Sequence, residues 1–458
     1  MSRAIFVLVA LQTAALAQSV EGNWLGSLNT QPGRLRLALK VTKADGALAA
    51  TLDSLDQGAK NLPVSMIRQS GRTVQFELQA IGGAFDGALT ANGAELVGEW
   101  KQNGAVLPLT FNRVDQLPAV PARPQDPRKP YPYTEEEVAY ENKPGSARLA
   151  GTLTMPPGNG PFPAVLLITG SGQQDRDESL MGHRPFLVLA DHLTRKGIAV
   201  LRVDDRGMGG STGEVKTATT EDFAGDVVAG VEFLKSRGPR INPRRIGLIG
   251  HSEGGVIAPM VAARSHDVAF IVLMAGTAVT GEEVMRAQAA AIAKAQGADE
   301  AAVAGNRAIQ DQANAIIKEE VDFKVREARL RELRDKLATQ VKGNGFTLDV
   351  QFKMAASPWY RFFLMYDPST ALRSVDCPVL ALNGELDLQV LPGQNLPPIA
   401  KALEEGGNPD YAIVKLPRLN HLFQTSQTGS PNEYAKIDET IAPVALDTVS
   451  DWILKHTR

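Results

Sequence analysis

Three residue types that can together build a nucleophile occur in the chain order Ser252, Asp387, His421. A serine hydroxyl attacks a carbonyl only when an imidazole takes its proton, and a carboxylate fixes that imidazole's tautomer. The surroundings of Ser252 suit the task. Residues 246–249 are a short apolar run that reads as a buried strand, and an apolar, helix-periodic stretch follows Gly250-His251-Ser252-Glu253-Gly254. Strand, sharp turn and helix would hold the hydroxyl clear of the backbone, with glycines two positions either side to let strand and helix pass closely. The first N–H groups of that helix face a developing oxyanion with the positive end of its dipole. Asp387 and His421 each fall just past an apolar strand pattern, 378–382 and 412–416. In open α/β sheets, functional groups gather at the carboxyl ends of strands.

The rivals are few. Glu385 competes with Asp387 for the acid role, whereas Asp376 precedes its strand and is set aside. Among the other histidines, His251 lies inside the turn, His456 in the terminal helix, and His183, His192 and His266 before any suitable acid or on helices. For oxyanion donors the pattern offers the backbone N–H of Glu253 and one from the turn at Gly172 and Gln173. The Glu253 side chain is left either to the surface or to the acid side of the pocket. Asp175-Arg176-Asp177 and Asp204-Asp205-Arg206 carry complementary charges on two adjacent loops, and a network bracing the glycine-rich loop is expected of them.

Elements that would position these groups follow in order. Residues 135–142, 148–155, 162–168, 198–203, 246–249, 270–274, 378–382 and 412–416 read as strands, with helical patterns at 186–196, 223–236 and 445–455. Strands alternating with helices imply a doubly wound, mostly parallel sheet. Residues about 281–357 interrupt it with Ala, Glu, Lys, Arg and Gln at helical spacing, which predicts a helical cap. The charge run 318–336 reads as a solvated face. Trp359, Tyr360, Phe362, Phe363 and Tyr366 are divided between lining a pocket and packing cap on core.

Upstream, residues 18–115 form a small all-β unit of about eight short strands in an up-and-down, barrel-like meander. Turn signals sit at Asp45-Gly46, Ser70-Gly71, Asp86-Gly87, Asn92-Gly93 and Asn103-Gly104. Trp24 and Trp100 are its candidate core aromatics, and Gly22-Asn23-Trp24 is similar to the lipocalin G-x-W opening. Lipid or glycan binding by this unit, with the hydrolase as accessory, is a separate functional reading. Residues 116–134 are a proline-punctuated linker and 135–458 the catalytic unit. Residues 1–17 have the Arg3 charge, apolar core and Ala15-Leu16-Ala17 site of a secretory signal, which implies export to a periplasm or medium.

A composition of 43% hydrophobic and 22% charged residues is that of a globular protein, and a net charge of −3 gives no electrostatic reason to bind nucleic acid. No segment reads as a membrane span. Cys377 is the sole cysteine, so an intrachain disulfide or a cysteine-ligated zinc is excluded, and its place at a strand start reads as a small buried hydrophobe. Neither glycine-rich loop carries the P-loop Lys-Ser/Thr.

Gly170-Ser171-Gly172-Gln173-Gln174-Asp175-Arg176-Asp177-Glu178, Gly182-His183-Arg184-Pro185-Phe186, Val203-Asp204-Asp205-Arg206-Gly207 and Gly250-His251-Ser252-Glu253-Gly254-Gly255 together resemble a bacterial group of exported carboxylesterases in the α/β-hydrolase superfamily. The resemblance covers nearly the whole chain after residue 17. It departs at Thr169, where many relatives carry His before the glycine; a donor made of backbone N–H tolerates that. The resemblance implies hydrolysis of short-acyl esters, small molecules, through an acyl-enzyme and without a cofactor. The triad pattern alone leaves acyl-CoA thioesters and peptide or other amides open.

Overall fold

The computed structural model describes residues 19–29, 34–44, 46–55, 59–102, 105–118, 123–338 and 354–457. The expected signal at 1–17, Asp45, the Asn103-Gly104 turn, Pro121 of the linker and cap residues 339–353 lie outside these. The chain divides into two compact units, Met1–Val120 and Pro121–Arg458. Among the described residues no helix is long and apolar enough to cross a membrane.

The first unit is one antiparallel sheet. Its strands are β1 (Gly22–Asn29), β2 (Arg34–Ala44), β3 (Ala47–Ser54), β4 (Ala59–Pro63), β5 (Met66–Ser70), β6 (Thr73–Leu78), β7 (Gly83–Leu89), β8 (Glu95–Gln102) and β9 (Ala105–Val114). Their order is β4-β3-β2-β1-β9-β8-β7-β6-β5. The two edge strands, β4 and β5, are joined by Val64 and Ser65 alone, so the sheet must curl until its edges meet. Those two residues keep the ladders going: Val64 donates its N–H to Ala50 of β3 (3.1 Å) and Ser65 to Glu77 of β6 (2.8 Å). The result is the expected barrel-like meander, with nine strands against an expected count of about eight. Strict alternation along β6 turns Val74, Phe76 and Leu78 inward. Phe76 stacks on Phe85 at 5.0 Å, Phe85 meets Phe111 edge-on at 5.6 Å, and Trp24 and Trp100 are both buried. Arg113 covers the Trp24 ring at 4.2 Å while the indole N–H donates to the Val20 carbonyl (2.8 Å).

The second unit is the α/β-hydrolase. Its sheet comprises β10 (Thr134–Asn142), β11 (Ala147–Met155), β12 (Phe162–Ile168), β13 (Ala199–Val203), β14 (Ile241–His251), β15 (Phe270–Met274), β16 (Val379–Gly384) and β17 (Tyr411–Leu416). The order is β10-β11-β13-β12-β14-β15-β16-β17. Pairings β10–β11 and β11–β13 are antiparallel and the rest parallel. Because both faces are covered, the central strands are continuously apolar rather than alternating. Helices Thr220–Lys235, Gly254–Ala262 and Pro392–Glu405 pack on one face, and Pro185–Arg195 and Pro443–His456 on the other.

Between β15 and β16 come the helices Gly281–Ala295, Glu300–Glu319, Phe323–Ala338 and Pro358–Met365. Each of three starts on a cap suited to it: Thr280 with Glu283 in a capping box, Asp299, and Ser357. Their small core is Ile317, Leu330, Ala356 and Leu364. The charge run is not wholly solvated. Arg326 is 1% exposed and donates to the carbonyls of Ala356, Glu320 and Val321, so one residue of the run is a buried strut between cap segments.

Candidate active site

Ser252 directly follows the central strand β14 at φ +54°, in the left-handed region that a non-glycine residue rarely occupies. Its own N–H donates to the Met274 carbonyl at 2.8 Å, anchoring the turn to the neighbouring strand. The flanking glycines are obligatory. A Cβ on Gly250 would lie 1.9 Å from the Gly254 carbonyl oxygen, and one on Gly254 2.2 Å from that of Ile168.

Asp387 and His421 come together from the ends of β16 and β17. His421 Nδ1 lies 2.8 Å from Asp387 Oδ2, and the other carboxylate oxygen accepts the N–H groups of Gln389 (2.8 Å) and Val390 (2.9 Å). Both residues are buried. The two backbone bonds fix one oxygen of Asp387 so that the other holds a single imidazole orientation, with Nε2 as the nitrogen turned away from the carboxylate. Glu385 is exposed and accepts from the Arg418 N–H (3.1 Å), and Asp376 is also exposed, so neither reaches His421.

Ser252 and His421 line one cavity of about 660 Å³. Gly172 and Gln173 line it too, yet Gly170 is the loop residue pressed against the serine: a Cβ there would stand 3.3 Å from that of Ser252. The Gly170 N–H is already taken by Glu178 (2.7 Å), so any oxyanion donor from this loop must come from later N–H groups. The aromatic run divides. Trp359, Tyr360 and Phe363 line the cavity, while Phe362 and Tyr366 pack on the sheet's helical layer.

The charge network departs from its sequence pairing. Arg176 grips Asp204 with two nitrogens (3.1 and 2.8 Å), as expected. Arg206 instead forks onto Asp226 (2.8 Å twice) and Asp177 pairs with Arg202. Among the described residues that leaves Asp205 without a cation: it accepts from the Thr169 hydroxyl (2.7 Å) and the Gln174 N–H (2.9 Å). Burial, with Glu178 and Glu253 nearby, pushes its carboxyl up to about 7. Glu253 is not a surface residue. It is 4% exposed, accepting from the Trp359 indole and the Thr220 hydroxyl at 2.7 Å each, and burial raises its carboxyl above the ordinary range. Burial likewise pushes the Cys377 thiol up to about 12, in keeping with an inert residue.

Residues 145–407, more than half of the chain, match the sequence model of the X-Pro dipeptidyl-peptidase (S15) family. The chain belongs to that family. It is also 26% identical over 330 residues to Esterase EstD of Thermotoga maritima, covering 71% of this chain and 69% of that one. A shorter likeness, 30% over 141 residues, covers 29% of this chain and 20% of the uncharacterized peptidase YuxL of Bacillus subtilis. Among solved structures, the Pyrococcus furiosus esterase Pf2001 superposes with a TM-score of 0.42 at 15% identity, covering 71% of this chain and 92% of its own. Membership of the S15 family and the esterase relative make this chain a serine hydrolase.

For this S15-family chain, sequence reading missed two partners of the serine turn, Glu178 and Trp359's link to Glu253. Glu178 carried a signal in the motif Gln173-Gln174-Asp175-Arg176-Asp177-Glu178, but nothing local announces its partner. Among the described residues no group of three or more His, Cys, Asp or Glu could hold a metal ion.

Proposed function

We propose that the chain is a serine carboxylesterase acting on short-acyl esters. Ser252 Oγ attacks the ester carbonyl and passes its proton to His421 Nε2. Asp387 holds Nδ1–H and stabilises the imidazolium that forms. The tetrahedral oxyanion is met by the N–H of Glu253 and by an N–H of the turn at Gly172 and Gln173. Collapse expels the alcohol, which takes its proton from His421, and leaves an acyl-Ser252. Water, deprotonated by the same imidazole, then releases the acid. The reading is carried by the 2.8 Å contact between His421 Nδ1 and Asp387, beside a serine held at positive φ on the same cavity. The esterase relative supports oxoesters.

The family's description favours a second reading, cleavage of an amide after an X-Pro dipeptide. Serine, imidazole and carboxylate serve either bond. The purified protein should be offered p-nitrophenyl acetate and butyrate, an acyl-CoA, and an X-Pro p-nitroanilide. Turnover of the oxoesters well above the other two is the expected result. Preference for the anilide would transfer the assignment to the peptidase.

A further inference from the structure

Two buried histidines near the site have partners of opposite kind. His183, 0% exposed, sets Nε2 against the Tyr434 carbonyl (2.9 Å) and beside the Gln424 side-chain amide (3.0 Å), and Nδ1 against the Thr440 hydroxyl (3.0 Å). A hydroxyl can donate, so one ring proton suffices and the neutral ring is satisfied. His251 is different. Its Nδ1 lies 2.9 Å from Glu178 Oε1 and its Nε2 lies 3.0 Å from the backbone carbonyl of His421. A carbonyl only accepts. Glu178 Oε1 also accepts the Gly170 N–H, at 2.7 Å, an arrangement that suits an acceptor-only carboxylate oxygen. With a carboxylate there, both nitrogens of His251 donate, which is the bonding of the imidazolium. Burial alone would lower the proton affinity of this ring, but Glu178 and the His421 carbonyl outweigh it and hold it above the ordinary histidine value.

The pair ties three loops together. Glu178 holds the glycine-rich loop at Gly170, His251 is the residue before Ser252, and the carbonyl it binds belongs to His421. Glu178 and Ser252 both sit at positive φ, +52° and +54°. Strain of that kind persists only where surrounding bonds over-determine the backbone. The His251 ring also stands 4.9 Å from the His421 ring. The acidic groups closest to this cluster are Glu178, Asp387 behind His421, and Asp205 beneath Thr169.

We propose that Glu178 and His251 form a standing ion pair that positions the serine turn, the glycine-rich loop and the His421 loop. The kinetic test of this rests on the proposed Ser252–His421 reaction; the ion pair itself does not. His251 is a positioning residue: it reaches the reaction through the backbone.

Two measurements test this. In the wild-type protein with histidine-selective 15N labelling, His251 should show two protonated ring nitrogens at pH 8. A ring with one bare nitrogen at that pH would overturn the ion pair, whatever the enzyme's activity. In His251→Gln, an amide can still donate to one partner but no longer to both. Misplacing the serine turn should then lower kcat by on the order of 10²-fold with KM for p-nitrophenyl butyrate nearly unchanged. An unchanged kcat in the folded variant would overturn the positioning role.

Discussion

Trp359 donates its indole N–H to the carboxyl of Glu253, 2.7 Å away, and Glu253 is the residue directly after Ser252. A side chain of the cap insertion is thereby bonded to the residue whose backbone N–H faces the reacting carbonyl in the proposed mechanism. Thr220 donates to the same oxygen at 2.7 Å, so the carboxyl joins cap, serine turn and the start of the helix Thr220–Lys235.

Glu253→Ala should strand two donors in a buried site. The cost expected is about 1–3 kcal/mol of stability for each left unsatisfied, with kcat/KM falling as the cap loses its tether. Glu253→Gln keeps an acceptor oxygen, and burial already raises the native carboxyl, so it should remain close to wild type. Denaturant unfolding and steady-state kinetics of both variants check this; a glutamine variant as damaged as the alanine would contradict it.

Asp387→Asn should leave KM nearly unchanged and lower kcat on the order of 10³–10⁴-fold, because an amide can hold the imidazole in the wrong tautomer. Glu385→Gln should do nothing comparable, since Glu385 is exposed and its carboxylate accepts from the Arg418 N–H. Parallel kinetics on the two variants separate the acids. The reverse ranking would reassign the role.

His183 supplies a pH signature of folding rather than of turnover. Burial lowers its pKa to about 4, below the 6.5 of an unfolded histidine. The unfolded chain therefore takes up a proton first. The stability owed to this neutral ring is present above about pH 6.5 and is lost as pH falls toward 4, by up to a few kcal/mol. Urea midpoints between pH 7.5 and 4.5 should fall less steeply in His183→Gln than in wild type. Equal slopes would count against a buried neutral His183.

What the chain discloses locally, the structure repeats. The serine turn is legible because strand, glycines and helix are adjacent, and the six parallel sheet strands, β12 to β17, are legible because each holds a short apolar run. Side-chain partnerships are not, since nothing in a residue's neighbours records what the fold brings to it. Arg206 looks complementary to Asp175 and Asp177, yet takes Asp226 from a helix beyond its own loop. Arg326 sits in a run of charges and is buried because three carbonyls at cap-helix ends need donors. Glu178 lies in the loop after β12 and His251 at the end of β14, and only the folded sheet brings them within 2.9 Å. In the first unit nine strands stand against a count of about eight; the corner at Val64 and Ser65, with Pro63 just before it, lies between two short edge strands.

Ser252 carries the account, and one comparison tests it most directly. Wild type and Ser252→Ala should be given p-nitrophenyl butyrate, and each incubated with a fluorophosphonate followed by peptide mapping. Wild type should turn over the ester and carry the phosphonyl group on Ser252. The alanine variant, with the fold intact, should do neither. Ester turnover that survives in Ser252→Ala, or a label found on another residue of the active wild type, would contradict the assignment.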